Sequence, residues 1–124
     1  MGARILIAED DAQIAALLHD YLALSGYEVV VVDDGAKLAA KAPEMLPDLI
    51  ITDIQMPNSY GSTAFIALRS DERTKKIPVL FVSAHPAGNL MPDDPFVRFL
   101  QKPIELKRLA ATVAELLLPR GGRP

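Results

Sequence analysis

The hydrophobic positions of this chain change period as one reads along it. Ile5 to Ala8 is a short apolar run closed at once by Glu9, Asp10 and Asp11, the pattern of a buried strand. From Ala12 to Ser25 the spacing becomes helical. Ile14, Leu17, Leu18, Tyr21 and Leu22 fall on one stripe, Asp11 can cap the start, and Gly26 can end it. Val29 to Val32 is a run of β-branched residues, which predicts a strand covered on both faces. Asp33, Asp34 and Gly35 then turn the chain into an alanine-rich helix that Pro43 is expected to stop.

Leu49 to Thr52 reads as the third strand, ending at Asp53. Met56 to Gly61 reads as a loop, with Pro57, Asn58 and Gly61 supplying turn chemistry. Ala64, Phe65 and Leu68 mark a helix of about ten residues. A fourth strand is expected over Pro78 to Ser83 and a fifth over roughly Phe96 to Leu100. The last helix is expected over Glu105 to Leu118, with Leu106, Leu109, Ala110, Val113, Leu116 and Leu117 facing inward and Leu116 to Leu118 able to support a weak interface. Pro119, Gly121, Gly122 and Pro124 read as a frayed tail, so the domain is placed at 1–119 and a flexible C-terminal tail at 120–124.

Buried strands alternating with helices predict an α/β fold, a parallel sheet with helices on both faces. One connection resists that reading. A parallel crossover usually needs a helix, yet the stretch between the fourth and fifth strands carries Pro86, Gly88, Pro92 and Pro95. Proline inside a helix costs about 3 kcal/mol, so at most one helical turn is expected there.

Composition narrows the function. The 124 residues suit one domain, with 50% hydrophobic and 23% charged residues as in an ordinary globule. No cysteine is present, which excludes disulfides and thiolate chemistry. The formal charge of −3 disfavours direct nucleic-acid binding, and no apolar run is long enough to span a membrane. With no signal-peptide pattern at the N-terminus, a cytoplasmic location is expected.

In a doubly wound sheet, ligands bind beyond the carboxyl ends of the strands. Those ends carry Glu9 and Asp10, Asp53, Ser83, and Lys102 before Pro103. If the first and third strands are neighbours, Glu9, Asp10 and Asp53 meet there. Three carboxylates at one edge repel unless a cation sits among them, and Mg²⁺ is the hard ion that such oxygens suit. Lys102 adds a positive charge and Ser83 a hydroxyl, a set fitted to a phosphoryl group, which an aspartate can itself carry as an acyl phosphate.

The chain resembles, over essentially its whole length, the receiver domain of two-component response regulators. The resemblance rests on Ile5-Leu6-Ile7-Ala8-Glu9-Asp10, Asp53 followed by Met56-Pro57 and Gly61, Ser83-Ala84, and Lys102-Pro103, in that order and spacing. It implies a flavodoxin-like doubly wound five-stranded parallel sheet of order 2-1-3-4-5, with the fourth of its flanking helices abbreviated or absent. Asp53 is then the phosphoacceptor, Asp10 a direct Mg²⁺ ligand, Glu9 a ligand mainly through water, and Gln55 a ligand through its backbone carbonyl. Ser83 and Lys102 contact the phosphoryl oxygens, the Lys102–Pro103 bond is cis, and Phe99 takes the aromatic switch position that moves with Ser83.

The implied function is a single-domain response regulator. It accepts a phosphoryl group from a sensor histidine kinase or histidine phosphotransfer protein, then switches binding to a downstream protein target or relays the group. It is a monomer or weak dimer, and no enzyme beyond its own phosphorylation and dephosphorylation. The output surface usual in the family is the fourth helix, fifth strand and last helix, and the proline-rich stretch alters part of it. The chain stops soon after the last helix, which is read as having no attached output domain, although Arg120 to Arg123 suits either a terminus or the start of a linker.

Other residues have plainer readings. Asp11 is read as a helix cap rather than a ligand, Asp33 and Asp34 as turn and cap, and His19 as solvated. His85 stands where the family tunes access of the hydrolytic water, or else has no role. Two rivals are a constitutive pseudo-receiver scaffold, which the acidic cluster and Lys102 oppose, and a small aspartyl-nucleophile phosphohydrolase, which usually has a second acid where Gln55 stands. Flavin binding lacks a phosphate-cradling glycine loop after the first strand.

Overall fold

The computed structural model describes residues 2–54, 61–84 and 94–121. Five strands, β1 (Arg4–Ala8), β2 (Glu28–Val32), β3 (Leu49–Asp53), β4 (Val79–Ser83) and β5 (Val97–Gln101), form one sheet in the order β2-β1-β3-β4-β5. Every pairing is parallel. The described helices are α1 (Ala12–Leu24), α2 (Gly35–Met45), α3 (Gly61–Arg69) and α4 (Leu106–Gly121). This is the expected doubly wound topology. The stretch expected to hold an abbreviated helix, 85–93, lies outside the described residues.

Side chains alternate across the sheet and build a core on each face. Ile5, Ile7, Leu49, Ile51, Leu80 and Val82 pack against Leu18 and Leu22 of α1 and Leu109, Val113 and Leu116 of α4. Leu6, Ala8, Ile50, Val79 and Phe81 pack against Leu38, Ala42 and Met45 of α2 and Ala64 and Leu68 of α3. Central strands β3 and β4 are buried along their whole length.

Several expectations need correction. Val29 to Val32 are half-buried rather than fully covered, because β2 is an edge strand with β1 as its only sheet neighbour. Leu17 was placed on the inner stripe of α1 but is 50% exposed, whereas Ala15 is buried. Pro43 does not stop α2, which continues to Met45. Pro43 gives up the bond its own nitrogen would make and crowds the carbonyl one turn back, but so near the helix end that cost is offset by burial of Met45 in the extra half-turn. Likewise α4 runs to Gly121, past the expected end at Leu118. Leu116 is buried, while Leu118 is 65% exposed.

The caps follow the sequence more closely. Asp11 Oδ1 accepts hydrogen bonds from the amides of Gln13 at 2.9 Å and Ile14 at 3.1 Å. Asp34 Oδ1 accepts one from the Lys37 amide at 2.7 Å, while Asp33 pairs with the Lys37 ammonium. Gly26, at φ 99°, closes α1 with Gly26 N–H donating to Ala23 and Tyr27 N–H to Leu22, a Schellman arrangement. At the end of α2 that left-handed position is filled by Leu46, at φ 50° and half exposed.

An L-residue with a Cβ pays roughly 1–2 kcal/mol to adopt that conformation. Leu46→Gly is therefore expected to stabilise the domain by about 0.5–1 kcal/mol after the glycine's extra unfolded-state entropy is counted. Chemical denaturation checks this, and a loss of stability would show that the leucine's contacts outweigh its backbone strain.

Candidate functional site

The carboxyl ends of β1, β3, β4 and β5 converge at one edge because the strands are parallel and in register: Ala8 pairs with Thr52, Asp53 with Val82, and Ser83 with Gln101. Glu9 follows β1 and Asp53 ends β3, so adjacency of these strands sets two acids side by side. Lys102 follows β5, and its amide donates to the Ser83 carbonyl at 2.7 Å, tying the end of β5 to the end of β4. The Lys102–Pro103 peptide is cis, as expected.

The site is largely withdrawn from water. Glu9 is 2% exposed, Ser83 3% and Asp53 7%, whereas Asp10 is exposed. Lys102 Nζ lies 2.7 Å from Asp53 Oδ2, to which it donates a hydrogen bond, and 3.1 Å from Glu9 Oε1. Glu9 Oε2 accepts from the Asp11 amide at 3.1 Å. The ammonium therefore bridges two buried carboxylates. Neither contact was foreseen: the sequence placed Lys102 against the phosphoryl oxygens and left Glu9 to the metal. Their shared cause is that β1 and β3 are adjacent, so the side chain that reaches one acid reaches both.

Burial pushes the Glu9 carboxyl above its ordinary range, and the charge of Asp53 adds to that. The Asp11 amide and Lys102 act in the opposite direction without cancelling it. For Lys102, burial works against the ammonium, but the carboxylates of Asp53 and Glu9 outweigh it and hold its pKa above the usual lysine value. The lysine stays charged throughout the neutral range.

Glu9, Asp10 and Asp53 each present a carboxylate oxygen, all within 4.8 Å of one another. Glu9 Oε1 is buried with no aligned hydrogen bond among the described residues, and the Lys102 ammonium stands beside it as an ion-pair partner. Three carboxylates against one ammonium leave two negative charges, and the donors are all hard oxygens. That set fits a divalent cation such as Mg²⁺. The implied carbonyl ligand Gln55 lies outside the described residues, as do Met56, Pro57 and His85. Asp11 is occupied as a cap and His19 is exposed beside Asp20, so neither belongs to the cluster.

Comparison with known proteins decides the family. The model described as "Response regulator receiver domain" matches residues 5–114. The chain belongs to the response regulator receiver domain family. It is 38% identical over 119 residues to the DNA-binding dual master transcriptional regulator RpaA of Synechocystis sp., a match covering 92% of this chain and 48% of that protein. The chain thus spans about half the length of the first curated relatives it matches. It is 31% identical over 123 residues to the polar-differentiation response regulator DivK of Brucella ovis, covering 94% of this chain and 98% of that one. Among solved structures, the Vibrio cholerae chemotaxis protein CheY4 superposes with a TM-score of 0.87 at 27% identity, covering 94% of this chain and 100% of that one. A response regulator receiver is a phosphoacceptor module of two-component signalling, and that coarse function attaches to this chain.

In this receiver domain, Phe99 stands opposite Phe81 in the β4–β5 ladder and is partly buried against the core that contains it. It also lines a groove of about 380 Å³ with Leu100, Gln101, Pro103, Glu105 and Arg108. No helix among the described residues is long and apolar enough to cross a membrane.

The raised Glu9 pKa fixes a pH dependence. An acid whose folded pKa lies above its unfolded value supports folding fully below the ordinary 4.5 and loses that contribution as pH rises through the folded value. In metal-free protein at pH 7.5, Glu9→Gln is accordingly expected to raise the melting temperature. The gain should close as the pH falls toward 4.5. Melting curves in chelator across that range check it, and a variant less stable at pH 7.5 would show that the pairing with Lys102 exceeds the cost of burying the charge.

Proposed function

We propose that this receiver domain takes a phosphoryl group onto Asp53 in a Mg²⁺-dependent reaction, from a phosphohistidine of a sensor histidine kinase or histidine phosphotransfer protein. The observation that carries the reading is the Lys102 ammonium bridging Asp53 and Glu9 beside the three-carboxylate cluster. A structural aspartate at a strand end needs neither a half-buried lysine nor two further acids.

In this reading Glu9, Asp10 and Asp53, with the Gln55 carbonyl, hold the metal. Bound Mg²⁺ supplies charge neutralisation for the incoming phosphoryl oxygens. An Asp53 carboxylate oxygen forms a bond to phosphorus as the phosphorus–nitrogen bond of the donor breaks, and the imidazole leaves with the bonding pair. Lys102, positioned by the 2.7 Å bond from its amide to Ser83, transfers its hydrogen bond from the carboxylate to a phosphoryl oxygen. The Ser83 hydroxyl takes another of those oxygens.

The added charge of about −1.5 to −2 biases the packing of Ser83 and Phe99, and a downstream protein reads the altered face. The groove beside Phe99 lies on that face. The domain acts as a switch or phosphorelay carrier in the cytoplasm, as a monomer or weak dimer, without binding nucleic acid directly and without turning over an external substrate. A constitutive scaffold is the weaker reading, because burying Glu9 and Asp53 side by side has a cost that mere partner binding does not require.

Intact-mass analysis after incubation with acetyl phosphate tests the proposal. Expected is the gain of one phosphoryl group that requires Mg²⁺ and disappears in Asp53→Asn. Lys102→Ala should keep metal binding yet slow phosphorylation by about 10²-fold or more, the scale on which loss of one preorganised charge contact acts. No gain from acetyl phosphate or from a phosphohistidine protein, together with no Mg²⁺ binding, would leave the scaffold reading standing.

A further inference from the structure

Lys102 is delivered by β5, and β5 is an edge strand whose sheet partner is β4. Its start is built around Asp94. The Asp94 carbonyl accepts from the Val97 amide at 3.1 Å, and its Oδ1 accepts from the Phe96 amide at 2.8 Å, forming a turn that releases the chain into the strand. The other carboxylate oxygen, Oδ2, accepts from Arg69 Nε at 3.0 Å. Arg69 is the last residue of α3, on the far side of the molecule in sequence but adjacent in space.

The guanidinium is itself fixed by aromatic packing. It lies 4.7 Å from the centroid of the Phe65 ring, one turn back along α3. Phe65 meets Phe81 of β4 edge-on at 5.4 Å, and Phe81 stands opposite Phe99 in the ladder. The Arg69 and Asp94 side chains are 17% and 22% exposed, and Arg69 Nη1 is buried with no hydrogen-bond partner among the described residues. Asp94 thus supplies the guanidinium's ionic compensation, and a pair this enclosed is screened far less than one in water. On the other face of β5, Arg98 pairs with Glu115, but those side chains are 42% and 62% exposed, a setting in which ion pairs contribute little.

We propose that Arg69 and Asp94 form a clasp that fixes the start of β5, so that Arg69 is a positioning residue for Lys102 at the acceptor site and for Phe99 beside it. The clasp runs from α3 through Phe65 and Phe81 to the strand that carries both residues. It touches neither Asp53, at the end of β3, nor Glu9 and Asp10, which follow β1. This gives it a signature distinct from general stability: loosening it should free β5 and slow phosphorylation while leaving Mg²⁺ binding in place. The effect on rate rests on the function proposed above; the effect on β5 does not.

Two variants test it. Arg69→Gln removes the cation. Asp94→Asn keeps an oxygen for the Phe96 amide and removes the charge, so the turn survives if the first variant fails to fold. Hydrogen exchange on metal-free protein is expected to show the amides of 97–102 exchanging at least about tenfold faster in each variant, with β1 and β3 unchanged. With saturating Mg²⁺ and acetyl phosphate, phosphorylation should slow about five- to tenfold, with the Mg²⁺ dissociation constant from calorimetry within about twofold of the parent. Unchanged exchange over 97–102, or exchange raised evenly across all strands, would overturn the clasp. Faster local exchange with an unchanged phosphorylation rate would overturn its role in placing Lys102. If the parent protein accepts no phosphoryl group, the proposed function fails, and the exchange measurement still decides whether the clasp holds β5.

Discussion

The contact between the Lys102 ammonium and the buried carboxylates of Asp53 and Glu9 is the constraint on which the site depends. Lys102 and Asp53 are 49 residues apart, on strands that are not neighbours, yet they stand 2.7 Å apart. Each of these charges would be expensive to bury alone, and together they still leave the cluster with excess negative charge. Such an arrangement survives only where the surrounding fold over-determines it. The parallel sheet does this by sending every strand's carboxyl end to one edge, and two apolar faces fix the strands in that register.

Position in the sheet divides the labour. Central strands β3 and β4, buried throughout, hold Asp53 and Ser83 with little freedom. The edge strand β5 leads into the lysine and carries the half-buried Phe99, the two residues that the proposed switch would move. An edge strand can shift without breaking a second ladder, which is an advantage in a switch and a liability in a catalyst. The bond from the Lys102 amide to Ser83 limits that freedom at one end of β5, and the turn at Asp94 limits it at the other.

Much of this was legible in the sequence because local patterns and global topology agree. Alternating strand and helix periods gave the sheet, and acids at the predicted strand ends gave the cluster. Capping roles for Asp11, Asp34 and Gly26 followed from residue chemistry alone. The misreadings arose where tertiary position overrides local pattern. Four consecutive valines look like a fully buried strand, but a strand's place in the sheet is not encoded in its own residues, and β2 lies at an edge. Pro43 reads as a stop because proline breaks helix interiors, yet in a last turn the burial of Met45 decides the matter. Leu17 satisfies helical spacing but sits at the margin of the stripe, half exposed to solvent.

Contacts between residues distant in sequence were the least legible. Nothing in the residues around Arg69 distinguishes it from any basic residue ending a helix, and Asp94 reads as one more acid in a proline-rich stretch. Only the fold brings them together. The same holds for Glu9 and Lys102, whose pairing gives the site its electrostatic logic. The lysine compensates both buried acids, and the Asp11 amide adds to it at Glu9. In the function proposed above, a cation gives the acids a stronger partner and a phosphoryl group gives the lysine a new one. On that proposal the contact of Lys102 with the acids is exchanged rather than lost when ligands bind, and the free energy of binding can bias the position of β5.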